Sequence, residues 1–408
     1  MFRSIRILGL SVLLVVAGCV AVSKYEWAAV FQKEITTKIF FLLDNNMIIV
    51  TADVYNNLRV QELNDQGDVV NDREIRIVGA YVDRFINGDQ YLATMTVASK
   101  VALVDLEEGI LWQTTSVEAP YYSKSTKIKT FSDSLISVFG QYTDTDDWSS
   151  SESLGGFVSI MDMNGDSLWS TIYPDAKVVD VHWRDDSWVI ALKQEDETFI
   201  VKQYDEVFGF IGEVSLNQKG WLQIYDQGFI IKDNPYSYVL DLDGNELLTL
   251  GFDLGVSSDE SLFVFDDSNL TRYDWDGRVL WSKSVSIPDN TRFGLNFSVS
   301  ESGTPTLAYT TVTVGGYSML GALTRYQTQV QVFNKDTGKK TLIVEQPAES
   351  AGICFGDTIC DDRANKQGNL MNVSVWAFGD RIYTLNEYGY PTIFLINESQ
   401  VLNSYKLN

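Results

Sequence analysis

Histidine is almost missing from this chain: His182 is the only one in 408 residues. Histidine-built metal sites are thereby excluded, and a Ser-His-Asp triad would have to be assembled on His182 alone. Cysteine is nearly as scarce, with Cys19, Cys354 and Cys360 only, a poor basis for a four-ligand zinc site. Positive charge is in deficit, with 31 Lys and Arg against 55 Asp and Glu and a formal net charge of −24. A surface of that sign repels phosphate backbones and argues against nucleic acid as a partner. Nucleophile-elbow, Walker and dinucleotide glycine motifs are absent. Beyond the first twenty residues no segment keeps the apolar period of a helix.

What is present is a repeat. Short turns rich in Asp, Asn and Gly precede apolar strands, as at Asn45-Asn46, Gly88-Asp89, Asp185-Asp186 and Gly379-Asp380. A second mark closes the following strand with Asp or Asn, commonly followed by Gly and then Leu-Trp. It is clearest at Asp105/Gly109/Trp112, Asp162/Gly165/Trp169 and Asp274/Gly277/Trp281. Taking this mark at 64, 105, 162, 205, 241, 274, 334 and 397 gives steps of 33 to 63 residues with a mean of about 48. Repeats of that length cannot bury their own apolar faces and must stack on neighbours. The strands between the marks are rich in Val, Ile, Phe, Tyr and Thr and alternate in polarity. The pattern predicts an all-β fold, an eight-bladed β-propeller of four-stranded antiparallel blades. The alternative is seven blades with the first or last repeat used as a closing strand.

The ends divide from the fold. Arg3 and Arg6, the apolar stretch Ile7 to Val16 and the small Ala17-Gly18 before Cys19 have the layout of an export signal, too short for an ordinary span. The run VAGC resembles the bacterial lipoprotein signal. That resemblance implies cleavage before Cys19, acylation of Cys19, and delivery to the outer membrane, since Val20 stands where a retention aspartate would. The expected organisation is a signal peptide at 1–18, a lipidated N-terminus and tether at 19–38, and a single propeller domain at 39–408. Export also makes Cys354 and Cys360 a candidate disulfide. Losing Arg3 and Arg6 leaves 29 basic against 55 acidic residues, so attachment to a membrane is expected through lipid rather than charge.

The Asp, Gly, Trp spacing resembles the pyrroloquinoline-quinone-like (PQQ-like) propeller repeat. The resemblance implies that Trp112, Trp169 and Trp281 dock between adjacent blades. It is partial at Asp241/Gly244, where Leu248 takes the Trp position, and at Asn334/Gly338; it is weak at Asp205/Gly209, and Asn397 lacks the Gly. With the lipoprotein signal, the chain is also similar to the propeller lipoproteins of the outer-membrane β-barrel assembly machinery, although it lacks their small-residue, Gly-rich strand pattern.

Three insertions, 140–156, 314–328 and 346–371, are expected on the face of the B–C loops and inter-blade connections. Tyr317, Met319, Leu320, Arg325 and Tyr326, with Phe355 beside the cysteines, are the candidate partner-binding residues, because aromatic and Met side chains suit protein interfaces. The hairpin carrying them could equally pack on its own propeller. Asp144, Asp146 and Asp147 offer carboxylates that could hold Ca²⁺, but without the Gly and Glu of a calcium loop they read as a solvated acidic loop. His182 reads as structural, at the end of an A strand. The expected function is a non-enzymatic scaffold for protein partners, without cofactor, on the periplasmic side of the outer membrane, in the specific case serving barrel assembly. The alternatives are a quinoprotein dehydrogenase, whose adjacent cysteines are lacking here, and a carbohydrate-binding or adhesion propeller.

Overall fold

The computed structural model describes the chain without a break from 152 to 251. Elsewhere, between 36 and 406, it describes the strands given below and several of their turns, with side chains chiefly between 100 and 343. Every described element longer than a turn is a strand, and the strands group in fours in chain order. Each group is a meander in which every strand pairs antiparallel with the next. We number the groups as sheets 1 to 8 and label their strands A to D.

Sheet 1 runs through Thr36–Phe41, Met47–Ala52, Leu58–Leu63 and Val69–Ile75; sheet 2 through Ala80–Asn87, Gln90–Met95, Lys100–Asp105 and Gly109–Thr115. Sheet 3 comprises Tyr122–Phe131, Leu135–Thr143, Gly155–Asp162 and Ser167–Pro174; sheet 4 comprises Lys177–Arg184, Ser187–Lys193, Phe199–Asp205 and Phe210–Leu216. Sheet 5 is Trp221–Ile224, Phe229–Asp233, Tyr236–Leu240 and Glu246–Gly251, and sheet 6 is Leu254–Val256, Leu262–Asp266, Asn269–Tyr273 and Val279–Ser284. Sheet 7 is Thr291–Val299, Pro305–Ser318, Gly321–Phe333 and Lys340–Glu345, and sheet 8 is Val373–Phe378, Arg381–Asn386, Thr392–Ile396 and Val401–Lys406.

The burial pattern shows how the sheets stack. Strand B of sheet 4, Ser187–Lys193, is buried at every position but the last, which means that both its faces are covered. Successive side chains of a strand point to opposite faces. Accordingly Trp188, Ile190 and Leu192 join Phe139, Val158 and Ile160 of sheet 3 in one cluster. Val189 and Ala191, between them, join Leu222, Phe229 and Ile231 of sheet 5 in another. Sheet 5 repeats the division, its Ile230 facing Leu262 and Val264 of sheet 6. The same seams join sheet 2 to sheet 3 and sheet 6 to sheet 7. Each of sheets 3 to 6 is thus layered between its predecessor and its successor, and the chain is a β-propeller.

Two expected loops are strand instead. Residues 140–142 of the first insertion stay paired with 155–157, because Gly140 lets the Ser125 carbonyl approach closely and Tyr142 is buried in the seam. Residues 314–318 and 321–328 continue strands B and C of sheet 7, with Val314 opposite Thr324 and Ser318 opposite Gly321. The β-branched alternation of TTVTV and LTRYQTQV has no reason to stop pairing. Glu349–Cys354 adds to the same hairpin, with Leu323 opposite Ile353 and Tyr326 opposite Glu349.

Trp188 is 1% exposed and meets Phe131 edge-on at 5.4 Å and Trp183 at 4.7 Å. Trp188→Ala is expected to cost about 3–5 kcal/mol in chemical denaturation, the usual cost of emptying so large a core site. A loss under about 1 kcal/mol would mean that the seam between sheets 3 and 4 is not closed.

Candidate functional site

In a four-strand meander the A–B and C–D turns lie at one end, and the B–C turns and inter-sheet connections at the other. The two ends are built differently. At the C–D turns the repeat Asp is a scaffold for backbone amides. Asp162 Oδ1 accepts from the N–H of Asn164 at 2.8 Å and of Asp166 at 2.9 Å. Asp241 Oδ1 accepts from Asp243 at 3.0 Å and Asn245 at 2.8 Å, and Asn334 does the same for Asp336 and Thr337 at 3.2 and 3.0 Å. A backbone bond from the Gly N–H to the Asp carbonyl closes each loop, at 3.1 Å from Gly165 and 3.1 Å from Gly244.

The Trp residues of the repeat sit beneath the next sheet's turn. Trp112 Nε1 donates to the Met163 carbonyl at 2.9 Å, and Trp281 Nε1 donates to the Lys335 carbonyl at 2.7 Å. Their rings lie so close to Gly165 and Gly338 that an added Cβ would fall 2.7 Å and 2.5 Å from them, and both glycines have positive φ, 82° and 65°. Only Gly satisfies both constraints without strain. Sheet 4 solves the problem otherwise. There Phe208, not Gly209, holds the left-handed position at φ 66°, and its ring stacks on Trp169 at 4.9 Å with 5° between planes. The weak repeat at Asp205 is therefore a substitution of one docking surface for another.

At this same end His182 Nε2 lies 2.8 Å from Asp226 Oδ1, and Arg184 donates to the carbonyls of Tyr225 and Asp226 at 3.4 and 3.3 Å. Glu260 accepts the N–H groups of Asp226 at 2.6 Å and Gln227 at 3.0 Å. Deeper in, Asp180 ties Lys129 of sheet 3 at 2.5 Å to the Ile224 N–H of sheet 5 at 2.8 Å. Burial draws the Arg184 guanidinium below its ordinary value against the pull of Asp185, Asp226 and Glu260. These groups link A strands across sheets 3 to 6, and His182 belongs to that structural chain.

The B–C end is the candidate site. Tyr122 and Trp221 open strand A of sheets 3 and 5, Tyr236 opens strand C of sheet 5, and Leu154 lies in the B–C loop of sheet 3; all four are exposed, Trp221 to 75% and Tyr236 to 50%. Among the described residues, the other exposed large apolar side chains lie on D strands or C–D turns. Beside them the B–C turn of sheet 4 forms one wall of a recess of about 380 Å³ with Leu154, Asp175, Lys177 and Lys193. Lys193 pairs with Glu197 there, and that ion pair holds the Glu197 carboxyl below its ordinary value. The recess is shallow and of mixed charge, a form that receives side chains of another protein better than it encloses a small molecule. No signal in the sequence singles out Trp221, since Trp188 also stands near a strand start outside the Asp-Gly-Trp repeat and is buried.

Of the residues singled out in the sequence, Tyr317, Arg325, Tyr326 and Cys354 lie on the extended hairpin of sheet 7 and its added strand. Asp144 is exposed where the B–C loop of sheet 3 begins. Cys19, Asp146, Asp147, Met319, Leu320, Phe355 and Cys360 lie outside the described residues. Among the described residues no group of three His, Cys, Asp or Glu side chains is gathered as metal ligands.

No protein-family model matches the chain, and no curated protein matches it. Solved propellers do. The WD40 domain of SCAP from fission yeast aligns over 90% of this chain and 96% of its own at 9% identity and a TM-score of 0.45. The C-terminal WD40 domain of Sif2 covers 88% and 98% at 12% identity and 0.47. The β-propeller domain of Cps50 (Swd1) from Myceliophteria thermophila covers 86% and 95% at 11% identity and 0.36. The propeller assignment itself rests on the sheet order and the seams.

The turn carboxylates set an acid limit. Hydrogen bonds hold Asp162 below the ordinary carboxylate value of 3.8, chiefly that from the Asp166 amide, and Asp241 likewise, chiefly that from the Asn245 side chain. A depressed folded value gives stability that is complete above the unfolded value and is lost as pH falls through the folded one. Melting temperature is therefore expected to fall below about pH 4. Asp162→Asn with Asp241→Asn, keeping the acceptor as Asn334 does, flattens that fall. An unchanged acid profile in the double variant contradicts this role for the turns.

Proposed function

We propose that this propeller is a non-enzymatic scaffold that docks a protein partner on the B–C end of its sheets. The observation that carries the reading is the exposure of Trp221, with Tyr236, Tyr122 and Leu154 nearby in the sheet order, at the end from which the three long insertions also emerge. Large aromatic side chains left in water on a rigid strand end are the anchors that protein interfaces use, because they bury much area at little entropic cost. The extended hairpin of sheet 7, carrying Tyr317 and Tyr326, adds a second raised element at the same end.

Acylation at Cys19, a Cys354–Cys360 staple, and a position on the periplasmic side of the outer membrane complete the proposal. They are supported by the VAGC run and by the scarcity of other cysteines. Service to the assembly of β-barrel membrane proteins is the specific form that the resemblance gives. The acidic surface supports a lipid tether, since it gains nothing from an anionic bilayer.

The test is crosslinking of the tagged full chain in membranes, followed by mass spectrometry of captured proteins. Trp221→Ala with Tyr236→Ala is expected to reduce capture about tenfold or more, as removal of interface anchors does, with an unaltered melting temperature. Undiminished capture rejects the B–C end as the docking surface. The N-terminal peptide of the mature protein is expected to begin at Cys19 with acyl chains attached, and Cys19→Ser to release the protein from washed membranes. A mature terminus elsewhere, or an unacylated Cys19, rejects the anchor.

A further inference from the structure

The repeat leaves large apolar side chains in water at one recurring place. Six residues after the turn Asp or Asn stand Val70, Leu111, Leu168, Ile211, Leu247 and Leu280, in sheets 1 to 6 in succession, and each is exposed. Of the sixteen exposed large apolar residues described, twelve lie on D strands or C–D turns. In sheets 2, 3 and 6 the next residue is the docked Trp; nothing in the packing of a sheet calls for an apolar residue one place earlier.

The D strand is also the end of each sheet's order. In sheets 2 and 3 the described backbone pairing of Gly109–Thr115 and Ser167–Pro174 runs only to the C strand of the same sheet. Their sequences, GILWQTT and SLWSTIYP, contain no charged residue. Each of the two strands has one bulge, where Leu111 and Leu168 have no partner on the C strand, and beyond it residues 112–115 and 169–174 pair in regular register and carry no charge. Proteins usually blunt such edges with charge as well, because an open apolar edge is a template for another strand. The adjoining turns are of one sign. At the C–D turns of these two sheets, residues 105–109 and 162–166, there are five Asp and Glu and neither Lys nor Arg.

We propose that the outer edges of sheets 2 and 3 receive an added strand from a partner protein, an extended segment with large apolar residues at alternate positions and lysine or arginine at one end. Its backbone pairs with the D strand, its apolar side chains cover Leu111 or Leu168, and its basic end meets the acidic turn. A second copy of this chain would bring five like charges against the same five, and an anionic bilayer repels them equally, so the charge selects a cationic protein segment.

The probe is a short fluorescein-labelled peptide of alternating threonine and valine with two lysines at one end, titrated with the full chain and read by anisotropy. Saturable binding is expected, weakened by added salt and lost when glutamates replace the lysines or when the peptide amides are N-methylated. Leu111→Glu with Leu168→Glu is expected to weaken binding about tenfold, and Leu111→Gln with Leu168→Gln serves should the charged pair disturb folding. Trp221→Ala, at the other end of the sheets, leaves probe binding unchanged. Equal binding of the glutamate or N-methylated peptide overturns the proposal. So does capture of the chain by anionic lipid vesicles, or self-association in ultracentrifugation, if either is lost in the Leu111 and Leu168 variants.

Discussion

The structure depends on one constraint: consecutive residues of a strand must be buried in different places. In Ser187–Lys193 the side chains of Trp188, Ile190 and Leu192 belong to the seam with sheet 3, and those of Val189 and Ala191 to the seam with sheet 5. A lone sheet could satisfy one of these faces at most. Stacking satisfies both, and each added sheet creates the surface that the next requires. The B strands of sheets 4 and 6 consequently read as nearly unbroken apolar runs, while D strands return to alternation with water on one side.

Turn chemistry then sets the register of the stack. The repeat Asp gathers backbone amides into a compact turn, a positive-φ residue lets that turn lie flat, and the Trp of the preceding sheet fits beneath it. The parts are interchangeable only in combination. Asn334 keeps the acceptor, Leu248 takes the Trp position, and Phe208 accepts a left-handed backbone while stacking on Trp169.

Most of this was legible in the sequence because it follows local rules. Eight sets of strands, the positions of the C–D turns, and the end from which the insertions emerge all follow from period-two patterning and Asp-Gly punctuation. Two things were not. The reach of the sheet 7 hairpin was hidden because VGGYS reads as loop by composition, although Tyr317 pairs opposite Ala322. The exposed Trp221 and Tyr236 were hidden because an aromatic at a strand start looks the same in sequence whether it faces a seam or water. Only the stacking geometry separates those cases. Likewise Leu168 and Trp169 are adjacent letters of one motif, yet one is exposed and the other is packed against Tyr204 and Phe208.

The most direct test of the two-seam constraint is a pair of double-mutant cycles on sheets 3 and 4. Phe131 and Trp188 share a seam, with ring centroids 5.4 Å apart, whereas the neighbouring Val189 faces sheet 5. Phe131→Ala with Trp188→Ala should show a coupling energy within the range of about 0.5–3 kcal/mol expected of packed neighbours. Phe131→Ala with Val189→Ala should be additive to within about 0.5 kcal/mol. Equal coupling in both cycles, or none in the first, would contradict the division of each strand between two seams.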